Sequence, residues 1–184
     1  MNYRAILSTK LRSAVLALAF GAIGCTSSHA NMILGGQIFA NGGDVTVTFL
    51  GSDAGYDNLL FLANNGNGVI FEGHVTAPGT VADLGSFAAG TELIFKLNNQ
   101  QGDIWSTGDA SRNSDGVAHA VINDAYASGL ISVGFEDLNG GGDRDYNDLT
   151  FAVGNASVPD ASTTLPLVGL AFAGLVGLSR RFRK

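Results

Sequence analysis

Two short alternating runs close the ordered pattern of this chain: Ile131, Val133 and Phe135 fall on one face of the first, and Leu149, Phe151 and Val153 on one face of the second. Both read as half-buried strands. Between them lie thirteen residues, Glu136 to Asp148, with five carboxylates (136, 137, 143, 145 and 148), three consecutive glycines and one cation, Arg144. A tight hairpin needs two to five loop residues, so this connection is too long for a plain turn. Folding it forces like charges together unless a counter-ion joins them. Any fold for this chain must place that loop where its charge is tolerated or neutralised.

The remainder of the chain up to residue 157 supplies strands and turns. Val45, Val47 and Phe49 alternate with Thr46 and Thr48, which predicts a strand with one wet face. Leu59 to Leu62 is a continuous apolar run, expected to be covered on both faces. The turn-forming Asn64-Asn65-Gly66-Asn67-Gly68 then leads to Val69-Ile70-Phe71, completing a hairpin. Val81 to Phe87 reads as a short strand, Leu93, Phe95 and Leu97 share a face opposite Lys96, and Ile104-Trp105 follows a polar turn. Residues 106 to 116 have no periodicity and are expected to form a long surface loop. Val117 to Ile122 alternates again. No amphipathic helix and no internal repeat stands out between residues 31 and 157. Eight or nine short strands separated by Gly/Asn/Asp turns predict an all-β, two-sheet β-sandwich or jelly-roll-like domain.

Charge narrows the function. Between residues 31 and 157 stand fifteen acids and three cations (Lys96, Arg112, Arg144), a balance of −12, although the whole chain carries only −6. Such a domain repels phosphate backbones, which argues against nucleic acid as a partner, and attracts divalent cations. The single cysteine, Cys25, lies near the start, so residues 31 to 157 can form no internal disulfide.

The two ends read as addresses. Residues 1–30 have a basic start, an apolar run from Ala14 to Ile23, and Ser28-His29-Ala30 before Asn31. These are the parts of a secretory signal peptide, with cleavage by signal peptidase expected between Ala30 and Asn31. Lipoprotein processing at Cys25 ranks second. Residues 158–184 form the other end: Val158-Pro159-Asp160, an apolar segment from Leu165 to Leu178, and Arg180-Arg181-Phe182-Arg183-Lys184. The apolar segment reaches roughly 21 Å as a helix, a marginal span of a core near 30 Å. The terminal cations would hold that end in the cytoplasm and leave the domain outside.

Within the acidic loop, counting from Asp137 along a twelve-position EF-type loop sets Asp137, Asn139, Asp143, Asp145 and Asp148 at ligand positions 1, 3, 7, 9 and 12. Position 5 lacks a side-chain ligand, position 12 is Asp instead of Glu, and strands flank the loop, so the segment is no EF-hand. An oxygen-rich loop with glycines able to bend around calcium remains, against the alternative of a solvated Asp/Asn/Gly turn. Asp103 and Asp109 are candidates to join from the neighbouring loop. His119 alternates with Val117 and Val121 and reads as a core imidazole, while His74 has no second histidine nearby for zinc. Trp105 and Tyr146 are candidates to stack on a sugar, although a lone Trp in a β domain is more often core.

The tail resembles the PEP-CTERM class of bacterial sorting signals, and more closely its VPDSG-type variant, with Val158, Pro159, Asp160, Arg180 and Arg181 as the sorting signal and Ala161-Ser162 standing where that variant has Ser-Gly. The resemblance implies a Gram-negative-type envelope, an exosortase-like sorting protease, transient or retained anchoring in the inner membrane, and display at the surface alongside exopolysaccharide. The stretch Val133 to Leu138, Gly140 to Leu149 and Phe151 resembles the signature of the domain of unknown function 4114, with similarity expected over about Val81 to Val153. That family's occurrence in secreted and adhesin-like proteins implies a surface role and supplies no reaction. The expectation is therefore an exported cell-surface or extracellular-matrix protein with a non-catalytic, calcium-stabilised sandwich for adhesion to polysaccharide or surface proteins. The alternative is a secreted carbohydrate-active enzyme with an acidic site.

Overall fold

A computed structural model of the chain describes residues 31–63, 68–127 and 129–159. Twelve antiparallel strands are present among them: β1 (Met32–Leu34), β2 (Phe39–Ala40), β3 (Gly43–Gly51), β4 (Leu59–Leu62), β5 (Phe71–Glu72), β6 (Val81–Phe87), β7 (Phe95–Asn98), β8 (Ile104–Ser106), β9 (Ala120–Ala127), β10 (Leu130–Phe135), β11 (Leu149–Gly154) and β12 (Ala156–Ser157). They build a six-stranded sheet in the order β1-β9-β10-β11-β3-β6, a four-stranded sheet β5-β4-β7-β8, and a two-stranded annex β12-β2. The expected all-β class is what the chain adopts. The surplus over eight or nine strands consists of two- and three-residue pieces, too short to show an alternation in sequence.

Alternation fixes which face each long strand buries. Val45, Val47 and Phe49 of β3 point to the core, as do Ile131, Val133 and Phe135 of β10 and Leu149, Phe151 and Val153 of β11. From the four-stranded sheet come Leu60, Leu62, Phe95, Leu97 and Trp105, all in the same apolar cluster. Rings meet across the two sheets: Phe49 and Phe71 lie 5.4 Å apart, and Phe95 and Phe151 4.8 Å apart. These tilted contacts join the layers into one sandwich.

Three local expectations are corrected. The Leu59 to Leu62 run is not covered on both faces, because Leu60 and Leu62 are buried while Leu59 and Phe61 are half-buried. Residues 106 to 116 are a surface loop only in part: Asp109, Ser111, Ser114 and Gly116 are exposed, whereas Ser106, Thr107, Gly108 and Asn113 are buried. Their polar groups are met inside, since Asn113 accepts from Ser106 N (2.8 Å) and donates to Val117 O (2.7 Å), and Thr107 Oγ1 accepts from Phe95 N (3.0 Å). A buried loop is tolerable once its backbone groups find partners. Finally, the strand expected at Val117 to Ile122 begins at Ala120, and its core face is Ala120 and Ile122. His119 is fully buried, yet it precedes the strand and owes its burial to stacking on Trp105, ring centroids 3.7 Å apart, and not to alternation with Val121.

Candidate functional site

The register of β10 with β11 pairs Phe135 with Leu149, so the thirteen-residue loop leaves and re-enters the sheet at adjacent positions. Its first residues turn inward. Glu136 and Asp137 are 1% and 2% exposed. Glu136 N donates to His119 O (2.9 Å), and Asp137 N donates to the Asp148 carboxylate (2.8 Å), closing the base of the loop. The Asp137 carbonyl accepts from Asn99 Nδ2 (3.0 Å) and from the indole of Trp105 (2.8 Å), which ties the loop to the four-stranded sheet.

Glycine permits the next step. Gly142 sits at φ +38, and any Cβ there would collide with the Glu136 carboxylate, which folds back under it to accept from Arg144 N (3.1 Å). Arg144 and Tyr146 then adopt φ of 66 and 55, unusual for side-chain-bearing residues and a sign of backbone strain held by its surroundings. Gly134 of β10 lacks the Cβ that would strike the Tyr146 carbonyl, so the returning loop lies flat on the sheet.

The acids gather in two groups that share Glu136: an inner one with Asp137 and Asp148, and an outer, exposed one with Asp143 and Asp145, each with carboxylate oxygens within 4.8 Å of one another. Either group could hold a metal ion through oxygen ligands. Among the described residues no Lys, Arg or His side chain forms an ion pair with the inner three. Burial, opposed by the amide of Asp137 and reinforced by the charges of Asp137 and Glu136, pushes the Asp148 carboxyl up to about 7. Two buried carboxylates beside a third are stable only if a proton or a cation joins them.

One further side chain enters from a distant segment. Asn58, fully buried just before β4, donates Nδ2 to Asp137 Oδ2 (2.7 Å), while its own Oδ1 is buried without a hydrogen-bond partner. Which amide end is oxygen and which nitrogen is set by the surroundings. Turned over, this amide presents its oxygen to the place where the Asp137 carboxylate stands.

Of the residues read as ligands, Asp137 and Asp148 converge in the inner group and Asp143 and Asp145 in the outer one. Asn139 lies exposed in the turn that Gly141 N closes on Leu138 O (3.0 Å), and both groups are built without it. Glu136 was missed because a register starting at Asp137 begins one residue too late. Asn58 carries no local signal, standing 79 residues from Asp137. The Asp103 carboxylate accepts from Asn99 Nδ2 (3.3 Å), Asp109 caps a short 3-10 turn at Ala110–Arg112, and neither belongs to the two groups. His74 bonds Asp57 (2.6 Å) and Ala54 O (3.0 Å). Both nitrogens of His119 are taken up by hydrogen bonds, with Glu136 O and Asp115 Oδ2, each at 2.8 Å, so neither is turned to the acid groups.

Asn31, Val158 and Pro159 lie at the edges of the described residues, with Asn31 N donating to Asp124 (3.0 Å). Ala30, Asp160, Arg180 and Arg181, and with them the signal peptide and the apolar C-terminal segment, lie outside. Among the described residues no helix is long and apolar enough to cross a membrane.

Sandwich and loop together define a class, an all-β domain with an oxygen-lined acidic centre between adjacent strands. Residues 87–156 match a domain of unknown function, DUF4114, and residues 157–182 match the VPDSG-CTERM motif, so both resemblances read from the sequence are shown. The second match marks an exported chain with a C-terminal sorting signal of the PEP-CTERM-like kind, directed to the cell envelope and consistent with processing by an exosortase-like enzyme. No curated protein and no solved structure matches the chain.

Proposed function

We propose that this chain is a cell-surface or extracellular-matrix protein whose non-catalytic sandwich is locked by calcium between Glu136, Asp137, Asp148 and Asn58, and serves adhesion or exopolysaccharide association. The observation that carries the calcium reading is the partnerless, buried Asn58 oxygen in a side chain already bonded to Asp137. A buried amide oxygen without a donor is costly, and a cation beside three carboxylates would satisfy it and neutralise them together. An all-oxygen ligand set suits a hard cation, and calcium accepts irregular carboxylate and amide coordination more readily than magnesium.

Thermal unfolding of the full chain with and without calcium tests this. Millimolar calcium should raise the midpoint, EGTA should reverse the rise, and Asp148→Asn or Asn58→Ala should abolish it; an unmoved midpoint in the wild-type chain sinks the calcium reading. A second reading, a secreted glycosidase, is favoured by the raised Asp148 carboxyl, a proton donor near neutral pH. The burial of Glu136 and Asp137 speaks against it, because a polysaccharide cannot reach them. Reducing-sugar release lost in Asp148→Asn would favour the enzyme.

A further inference from the structure

The six-stranded sheet turns its other face to solvent, and there a cleft of about 250 Å³ has a largely apolar floor, Met32, Leu50 and Val121 among it, together with Tyr126, Tyr146 and the polar Asn123, Ser132, Thr150 and Asp145. Two separate backbone distortions bring the tyrosines to it. Asn123 faces Ser132 and Ala127 faces Leu130, so β9 carries three residues, 124–126, opposite the single Ile131. Plain alternation from Asn123 would send Tyr126 to the core side. The bulge instead delivers it to the outer cleft, where it is 46% exposed. Tyr146, also in the lining, is held at φ +55 with its carbonyl against Gly134, an arrangement that any side chain at 134 would forbid.

The lining selects a ligand class. It contains no Lys or Arg and one carboxylate, in a domain of balance −12, so an anionic ligand would be repelled. A purely apolar ligand would cover the polar groups of Asn123, Ser132 and Thr150 without satisfying them. A pyranose ring offers a C–H face for a tyrosine and hydroxyls for amide, hydroxyl and carboxylate partners. We propose that the cleft between Tyr126 and Tyr146 binds a neutral sugar unit of a polysaccharide. This deepens the adhesive reading above and rests on it; Asp145, shared between the cleft and the outer acid group, links the two sites.

The full chain, applied to immobilised neutral oligosaccharides (glucans, mannans, galactans, xylans) and to uronate-rich and sulfated ones, in millimolar calcium and in EGTA, tests the proposal. Retention on at least one neutral oligosaccharide is expected. Tyr126→Ala should weaken it at least tenfold while the unfolding midpoint stays within a few degrees. Because Tyr146 holds strained backbone, Asn123→Ala serves as the second variant, with a several-fold loss expected. No retention on neutral sugars, retention confined to acidic ones, or retention that Tyr126→Ala leaves intact would each overturn the proposal. Tyr126-dependent retention in a protein whose midpoint ignores calcium would leave the cleft standing and remove the calcium reading alone.

Discussion

Two carboxylates lie within reach of the same loop and meet opposite fates. Burial would raise Asp115, but hydrogen bonds from His119 and from the amides of Val117 and Gly140 outweigh it and bring its carboxyl down to about 2. Asp148 receives one amide, from Asp137, and otherwise faces Asp137 and Glu136, so its carboxyl rises to about 7. Donor count and neighbouring charge, more than depth, separate a carboxylate that fastens the structure from one that strains it. The Asp115 side of the loop is complete within the protein. The Asp148 side is a ligand set that a cation would complete.

The largest expected effect removes the partner that completes the first side. His119→Ala leaves the Glu136 carbonyl unmet, removes one of the three hydrogen bonds to Asp115 and opens a cavity against Trp105, and should cost about 3–5 kcal/mol in urea unfolding. A loss below about 1 kcal/mol would mean that Asp115 does not depend on the imidazole, and the contrast would fail.

Next comes calcium on the second side. At a hundredfold excess over its dissociation constant a single bound ion contributes about 2.7 kcal/mol, an upward shift on the order of 10 °C for a domain of this size. Asn58→Ala should erase the shift. A shift that survives that substitution would move the ion away from the inner group.

The two carboxylates also predict opposite pH dependences in the calcium-free chain. Asp115, lowered from the ordinary 3.8 to about 2, contributes stability that is present above pH 4 and lost as pH falls through 2. Asp148, raised from 3.8 to about 7, binds its proton more tightly in the folded state, so stability is fully present below pH 4 and declines as pH rises to 7. Screening at this half-buried group limits the decline to on the order of 1–2 kcal/mol. Calcium-free stability should therefore peak near pH 4, and calcium should flatten its upper limb. A calcium-free profile that climbs from pH 4 to 7 would contradict the strained state of Asp148.

How much of this was legible follows from where the forces act. Alternation placed β3, β7, β10 and β11 because burial on a pleated strand has period two, and it placed the acidic loop between the right pair. It missed the buried part of residues 106–116, where the Asn113 side chain replaces backbone partners and makes burial possible without periodicity. At His119 it gave the right outcome, a buried imidazole, although a ring stack with Trp105 is what holds it there. Within the loop the acids were legible as a crowd but not as the two groups they form. The EF-type count needs a continuous run, whereas the inner group joins both ends of the loop, with Asn58 bonded to it from just before β4.

The smallest effect separates the two halves of the loop itself. Asp143 and Asp145 are exposed, and local backbone amides already occupy them: Asp145 N donates to Asp143 (3.3 Å) and Asn147 N to Asp145 (3.2 Å). Such turns need no ion, and water screens their charge. Asp143→Asn should thus change calcium-free stability by less than about 0.5 kcal/mol and leave most of the calcium shift in place. If this substitution instead removes the shift while Asn58→Ala preserves it, the ion belongs to the outer group, Glu136 serves as its inner wall, and the burial of Asp137 and Asp148 is relieved by the proton alone.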